Sequence, residues 1–323
     1  MQIISKVLIS IVTAGTLMAT SASFAADTHV RVGYIADYFG TSMVAVAKHL
    51  DLFKKNGLDA ELKVFTNGPI QIQALGAGSL DYAYIGPGAL WLPATGKAKV
   101  IAMNALGETD RVISRPEIKT IKDLAGKKIG VPEGTSGDMV LRLALEKNGM
   151  SLKDVKMVPM DPSTVVTAFG SGQVDGAGIW YPFVQVIRDH LGDINELAGN
   201  ADFFPEVSFP SVFVAGNDAV KDAETVDKMI KVIREAIDYR KEHPEESVQI
   251  TAKFLGVDPA PLLAESKNAR ILSAEEFDAL VKDGSVDKWL DKLASLYEQF
   301  GKIKDPQPAS EFFLADAYLK AAQ

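Results

Sequence analysis

Ala74-Leu75-Gly76-Ala77-Gly78-Ser79-Leu80-Asp81-Tyr82-Ala83-Tyr84-Ile85 is answered later in the chain by Ala168-Phe169-Gly170-Ser171-Gly172-Gln173-Val174-Asp175-Gly176-Ala177-Gly178-Ile179, matched in pattern. Internal similarity of this kind exposes architecture before any motif is invoked. Working outward, Lys55-Asn56-Gly57-Leu58 upstream of the first copy recurs as Lys147-Asn148-Gly149-Met150 upstream of the second, at a nearly constant offset. Both glycines suit the residue just past a helix end. Further out, Val30–Tyr34 and Lys127–Val131 are short β-type runs. Each leads through a loop bearing glycine and hydroxyl groups into helical apolar spacing, as in Met43, Val46, Ala47 and Leu50 and in Met139, Val140, Leu143 and Leu145. The repeated unit is strand–helix–strand–helix–strand. Strands alternating with helices predict an α/β protein, and two such units predict two lobes, each a mostly parallel sheet flanked by helices.

After Ser211-Val212-Phe213-Val214 the character changes. Thr225–Glu242 and Ala274–Lys282 carry charge on helical spacing, with Pro244, Pro259 and Pro261 as breaks, and no third copy of the repeat follows. The expected division is residues 26–110 for the first lobe, 111–211 for the second, and 212–323 for a return to the first lobe with C-terminal helices. The chain should enter the second lobe near Arg111–Pro116 and leave it near Pro210–Phe213, two crossings that together would make a hinge.

Lys6, an apolar run from Val7 to Ala19, and Ser23 and Ala25 in the small-residue spacing of a cleavage site read as a signal peptide over residues 1–25, with the mature protein beginning at Ala26. The apolar run falls short of a bilayer span. The chain contains no cysteine, hence no disulfide, no thiolate metal site and no lipid anchor on an amino-terminal cysteine. A released protein is retained near the cell only behind an outer membrane, which predicts a periplasmic location. Of the 323 residues 47% are hydrophobic and 24% charged, a globular composition. The net charge of −8 argues against nucleic acid and acidic membrane surfaces as partners.

Catalysis needs convergent nucleophilic or titratable groups. His29, His49, His190 and His243 form no metal-type pair, and the chain predicts neither a metal nor a cofactor. Gly134-Thr135-Ser136-Gly137 does not meet the frame of a serine nucleophile elbow. Gly76-Ala77-Gly78 and Gly170-Ser171-Gly172 precede strands, so they are turns and not dinucleotide cradles. No catalytic residue is expected.

In open α/β sheets the ligand sits beyond the carboxyl ends of the strands. That rule selects Tyr34–Ser42, Asn67–Gln71 and Ile85–Trp91 in the first lobe, and Glu133–Asp138, Asp161–Thr164 and Trp180–Phe183 in the second. From these loops and the return crossing, the expected ligand-binding residues are Tyr34, Asp37, Tyr38, Gly68, Gly86, Pro87, Gly88, Thr135, Ser136, Gly137, Trp180, Tyr181 and Ser211. Phe39 and Trp91 are further aromatic candidates. The loops hold no lysine or arginine, so an anionic head group would rest on backbone N–H groups at Thr135–Gly137, where Thr135 also caps a helix. A zwitterion would need a carboxylate for its ammonium group; Asp37, Glu133, Asp138 and Glu206 are available.

The run Gly57–Leu62, Ile85-Gly86-Pro87-Gly88, the Lys119–Gly130 stretch with Asp123-Leu124-Ala125-Gly126-Lys127, Val131-Pro132-Glu133-Gly134-Thr135-Ser136, and Val174-Asp175-Gly176-Ala177 before Trp180 carry a resemblance over nearly all of the mature chain. It resembles the substrate-binding proteins of ABC importers for sulfonates, taurine and nitrate, a group similar in fold to thiamine-pyrimidine precursor proteins. The resemblance implies a type II periplasmic-binding-protein fold, a monomer with the ligand between its lobes, and delivery to a permease and ATPase complex at the inner membrane. It implies site positions at Gly86–Gly88, Thr135, Ser136 and Trp180, and a small organic anion or zwitterion, above all an organosulfonate such as taurine or an alkanesulfonate. Nitrate, an aromatic carboxylate or a pyrimidine precursor, and a non-transport sensor or an enzyme on the same fold, are the alternatives. Sulfonate binders of this type often carry histidine just after the Gly-Ser/Thr-Ser turn, where this chain has Asp138. The cysteine-rich motif of the thiamine-pyrimidine synthases has no counterpart in a chain without cysteine.

Overall fold

A computed structural model describes residues 27–322; the expected signal peptide and the cleavage after Ala25 lie outside the described residues. The first repeat runs β1 (Thr28–Ile35), α1 (Tyr38–His49), α2 (Leu52–Lys55), β2 (Leu58–Phe65), α3 (Gly68–Gly76) and β3 (Tyr82–Ile85), followed by β4 (Lys99–Gly107) and β5 (Asp110–Ser114). The second runs β6 (Lys128–Val131), α4 (Ser136–Lys147), β7 (Lys156–Pro159), α5 (Pro162–Gly170) and β8 (Gly176–Trp180), followed by α6 (Phe183–Leu191), β9 (Asn195–Gly199) and β10 (Pro210–Ala215). Then come α7 (Ala223–Glu242), α8 (Pro244–Leu255), α9 (Pro259–Ser266), β11 (Ala269–Arg270), α10 (Ala274–Lys282), α11 (Ser285–Gln299), α12 (Ala309–Phe312) and α13 (Ala315–Lys320).

The strands form two sheets, ordered β11-β4-β10-β3-β1-β2 and β7-β6-β8-β5-β9. The repeat is visible in the register: Gly33 lies opposite Ala83 in the first sheet, as Gly130 lies opposite Ala177 in the second. The aspartate of the repeated stretch explains why it recurs. Asp81 donates its backbone N–H to the Arg31 carbonyl at 2.9 Å, and its carboxylate accepts the Arg31 N–H at 2.8 Å. Asp175 does the same with Lys128, at 2.8 Å for both bonds. In each copy one side chain locks the start of the third strand onto the first. The preceding turns need Gly78 and Gly172, whose φ values of 69° and 77° lie in the left-handed region.

Most strands of each sheet run in one direction, as expected. The directly paired parallel strands are the repeated trios, β2-β1-β3 and β7-β6-β8. β10 runs antiparallel between β3 and β4, and β5 runs antiparallel between β8 and β9. These two strands are the ones by which the chain changes sheets, and each inserts against the direction of the trio it joins. The crossings differ in position from the sequence reading. The chain passes to the second sheet between Gly107 and Asp110 and returns between Gly199 and Pro210, so Asp110 belongs to the second sheet and Pro210 and Ser211 to the first. At the first junction only Glu108 and Thr109 separate β4 from β5, so little in the sequence marks the change of sheet.

The C-terminal helices close over the first lobe. Met229, Ile230, Ile233 and Ile237 of α7 are buried, β11 extends the first sheet beside β4, and Val100 bridges to Phe313. Among the described residues no helix is long and apolar enough to cross a membrane.

Arg31 and Asp81 also pair through their side chains at 2.6 Å. Burial works against the Asp81 charge, but its bonds to Arg31 outweigh that and hold the carboxyl below its usual range. Asp81→Ala should therefore cost about 1–3 kcal/mol in urea unfolding at neutral pH. The deficit should shrink as acid protonates the parent carboxylate, and a pH-independent deficit would contradict this account.

Candidate ligand-binding site

Four strands end in helix-capping residues that face the gap between the sheets. Asp37 caps α1 through Gly40 N at 2.6 Å, and Asn67 caps α3 through Ile70 N at 3.2 Å. Thr135 and Asp161 precede α4 and α5. A cavity of about 40 Å³ lies between the lobes, lined from the first by Asp37, Phe39, Asn67, Gly68, Tyr84, Gly86, Pro87 and Ser211, and from the second by Asp110, Thr135, Ser136 and Trp180. Glu265 of α9 completes it. A water needs on the order of 10–15 Å³ on such a measure, so the closed arrangement fits only a compact ligand.

The lining has one sign of charge. Asp37, Asp110 and Glu265 are all buried, at 4%, 2% and 1% exposure, and no lysine, arginine or histidine joins them in the lining. Asp37 Oδ1 caps α1, while its Oδ2 accepts a bond from Trp180 Nε1 at 3.2 Å, a contact that ties one lobe to the other. Glu265 accepts the N–H groups of Tyr38 and Phe39 at 2.7 and 3.2 Å. Asp110 Oδ2 accepts from Asn200 Nδ2 at 3.0 Å, but Asp110 Oδ1 is buried without a partner.

Burial, reinforced by the Asp110 charge, pushes the Asp37 carboxyl up to about 7, against the pull of its bonds to Gly40 and Trp180. Burial and the neighbouring Asp37 raise Glu265 well above the carboxylate range. Burial also raises Asp110, tempered by Ser136 and Asn200.

A cationic side chain lies behind this wall. Arg240 of α7 is fully buried and bonds to Ser42 Oγ at 3.0 Å and Asn104 Oδ1 at 2.8 Å. Asn104 in turn donates to Phe39 O and Ser211 Oγ, so the guanidinium supports two cavity residues without lining the cavity itself.

Of the expected residues, Asp37, Gly68, Gly86, Pro87, Thr135, Ser136, Trp180 and Ser211 line the cavity. Five do not. Tyr34 points to the outer face of the first lobe, its ring 5.6 Å from Phe254. Tyr38 is buried in the core, because the first turn of α1 aims Phe39 at the cavity instead. Tyr181 bonds to Glu196 at 3.1 Å on the far side of its strand. Gly137 packs on Gly178, where an added Cβ would stand 2.5 Å from the carbonyl oxygen. Gly88 lies flush against the second lobe, where an added Cβ would stand 1.8 Å from Ser136 N.

Around the expected anion cradle the protein engages several of the neighbouring amides and packs closely. Gly88 covers the Thr135–Ser136 peptide, the Gly134 N–H bonds to Asp138 Oδ2 at 2.9 Å, and Asp37 and Glu265 take the first three amides of α1. Among the other proposed carboxylates, Glu133 pairs with Lys302, Asp138 with Arg142, and Glu206 is exposed.

Tyr84, Asp110 and Glu265 were missed. Tyr84 read as a strand residue of the repeat. Asp110 sits one residue before the expected crossing, and Glu265 comes from a helix more than two hundred residues from the amides it caps. Only the apolar context Pro261-Leu262-Leu263-Ala264 hinted that this glutamate is buried.

Two α/β lobes of the same strand order, joined by two crossings around a lined cavity, define a periplasmic-binding-protein fold. The NMT1/THI5-like family model matches residues 39–247, and the chain belongs to that family. A Brucella abortus binding protein, whose name states no ligand, is 57% identical over 92% of this chain and 94% of its own. An aliphatic sulfonates-binding protein of Escherichia coli is 26% identical over 80% of this chain and 82% of its own. The crystal structure of the periplasmic aliphatic sulphonate binding protein SsuA from Escherichia coli superposes with a TM-score of 0.70 at 20% identity, covering 90% of this chain and 99% of that one.

A carboxyl raised on folding costs stability once ionised. The unliganded protein should thus grow less stable as pH rises from the unfolded value near 3.9 through about 7, and Asp37→Asn should flatten that slope in thermal melts. An increase in stability with pH across that window, unchanged in the variant, would contradict the burial of Asp37. Gly88→Ala should hold the lobes apart by its clash with Ser136 N, giving a larger radius of gyration than the parent in small-angle scattering with little loss of melting temperature. An unchanged radius would mean that this contact does not set the closed arrangement.

Proposed function

We propose that this chain is the exported solute-binding component of an ABC importer. It captures one small organic ligand between its lobes as a monomer and presents the closed form to a permease driven by a cytoplasmic ATPase. The observation that carries this reading is the cavity itself, assembled from both lobes and bridged by the Trp180–Asp37 hydrogen bond. A ligand that touches both walls favours the closed arrangement by its differential contacts, and closure is what a transport complex reads. Export in a cleaved form to the periplasm follows from the residue pattern through Ala25 and the family's membership of that fold.

Binding without turnover is supported by the chemistry of the lining. The Thr135 hydroxyl donates to the Pro132 carbonyl at 2.6 Å, and neither it nor Ser136 has a histidine beside it to act as base. The organosulfonate that the resemblance implies, taurine or an alkanesulfonate, would place its anionic end against three buried carboxylates with no basic group in the lining. That arrangement favours a different ligand charge.

The small molecule that co-purifies with the native protein, identified by mass spectrometry, should be released unchanged after removal and rebinding. Rebinding should alter tryptophan fluorescence and compact the protein in small-angle scattering. Trp180→Phe should remove most of the fluorescence change, leaving only the signals of Trp91 and Trp289. A full signal in that variant would displace Trp180 from the site, and the absence of compaction at saturation would end the closing mechanism.

A further inference from the structure

Three buried carboxylates line one cavity from both lobes, and each still has hydrogen-bonding capacity. Asp110 Oδ1 makes no well-formed hydrogen bond, the nearby Ser136 hydroxyl only tempering the carboxyl, although Asp110 is 2% exposed and lines the cavity. A buried, unpartnered carboxylate oxygen is costly unless something else pairs with it. The oxygens of Asp37 and Glu265 each accept one N–H and keep a second lone pair. No side chain of the lining offers a positive charge in return, and the nearest buried guanidinium, Arg240, is already engaged with Ser42 and Asn104. The remaining walls are the flat faces of Phe39, Tyr84 and Trp180, which suit an apolar body and attract a cation. The amides of Gly134, Tyr38, Phe39 and Gly40 are already engaged by Asp138, Glu265 and Asp37, and Gly88 packs against the Thr135–Ser136 peptide.

We infer that the ligand is a small organic cation, an ammonium or amidinium compound, whose N–H groups bond to Asp110 Oδ1 and to the facing carboxylates of Asp37 and Glu265 while its apolar part rests on Phe39, Tyr84 and Trp180. This inference rests on the solute-binding reading and narrows it. The pairing is charge-assisted and buried, where screening is weaker than in bulk water, so one carboxylate carries a large share of the affinity. A quaternary ammonium would gain the aromatic walls but leave Asp110 Oδ1 unpaired, which makes the N–H donor part of the recognition.

The test separates the small-molecule fraction of a bacterial extract at neutral pH into cationic, neutral and anionic pools and dialyses each against the mature protein stripped of ligand. Tryptophan fluorescence reports binding, and mass spectrometry identifies what is retained. The expected result is a retained compound from the cationic pool, carrying N–H groups and recovered unchanged. Its affinity should fall roughly 10- to 100-fold in Asp110→Asn, an isosteric change, with melting temperature preserved. Glu206→Gln, which removes the same charge from an exposed loop, should bind as the parent does. Should Asp110→Asn lose its fold, Asp110→Ser, which also removes the charge, takes its place, with the same expected loss. Retention of a compound from the anionic or neutral pool, taurine or ethanesulfonate included, overturns the charge assignment and leaves the solute-binding reading standing. Full affinity in stably folded Asp110→Asn overturns the role of Asp110 in the same way. If no pool yields a retained compound, or the compound is chemically altered, the solute-binding reading falls and takes the ligand class with it.

Discussion

Placing three carboxylates in one buried cavity is the constraint around which the structure is arranged. An isolated buried carboxylate is expensive, and like charges raise the expense further. Two of the three are offset by the start of α1, whose Tyr38, Phe39 and Gly40 amides point at Glu265 and Asp37. A helix N-terminus stabilises negative charge, so one helix end shared by two acids is an economical solution. The third, Asp110, has Asn200 on one oxygen and no well-formed hydrogen bond on the other. The same constraint fixes the position of the C-terminal region. Glu265 reaches α1 only if α7, α8 and α9 lie against the first lobe, so the tail completes the cavity as well as covering a core.

Several of the contacts that join the lobes beside the cavity are exacting. Trp180 gives its indole N–H to Asp37 at 3.2 Å, Trp91 gives its own to the Gly134 carbonyl at 3.3 Å, and Gly88 lies where no side chain fits. Hydrogen bonds of this kind are each worth about 0.5–1.5 kcal/mol, enough to define a closed geometry and weak enough for a ligand to decide the balance. One of them ends on a cavity-lining carboxylate, Asp37, so on the proposed reading one side chain would link occupancy of the cavity to the separation of the lobes.

The architecture was legible in the sequence because the repeat has a local cause. Asp81 and Asp175 bond to the strand beside them through the same pair of contacts, and that job needs the same residues in the same order twice. Loops at strand ends were legible too, since capping and turn chemistry are local, and eight of the thirteen expected residues stand in the lining. The failures share a different origin. Tyr34, Tyr38 and Tyr181 were chosen by loop membership, but side-chain direction depends on the exact residue at which strand gives way to helix. Asp110 and Glu265 depend on pairings across the whole chain, and their carboxylates look in sequence like the solvated acids around them. Two of the three acids of the cavity are thus the residues with the least local signal.

The exchange of β5 and β10 between the sheets bears on the order of assembly. During synthesis from the amino terminus, β3 and β4 emerge long before Pro210–Ala215, the strand that must lie between them. Their first sheet therefore stands open at its middle until the entire second lobe has been made. Non-local pairings of this kind are slow to form, because the intervening chain must be ordered before they reward it. A nascent chain that stays unfinished for most of its length remains a thread, the form in which a polypeptide passes a narrow membrane channel, and it locks into shape only when the last third arrives to close the gap.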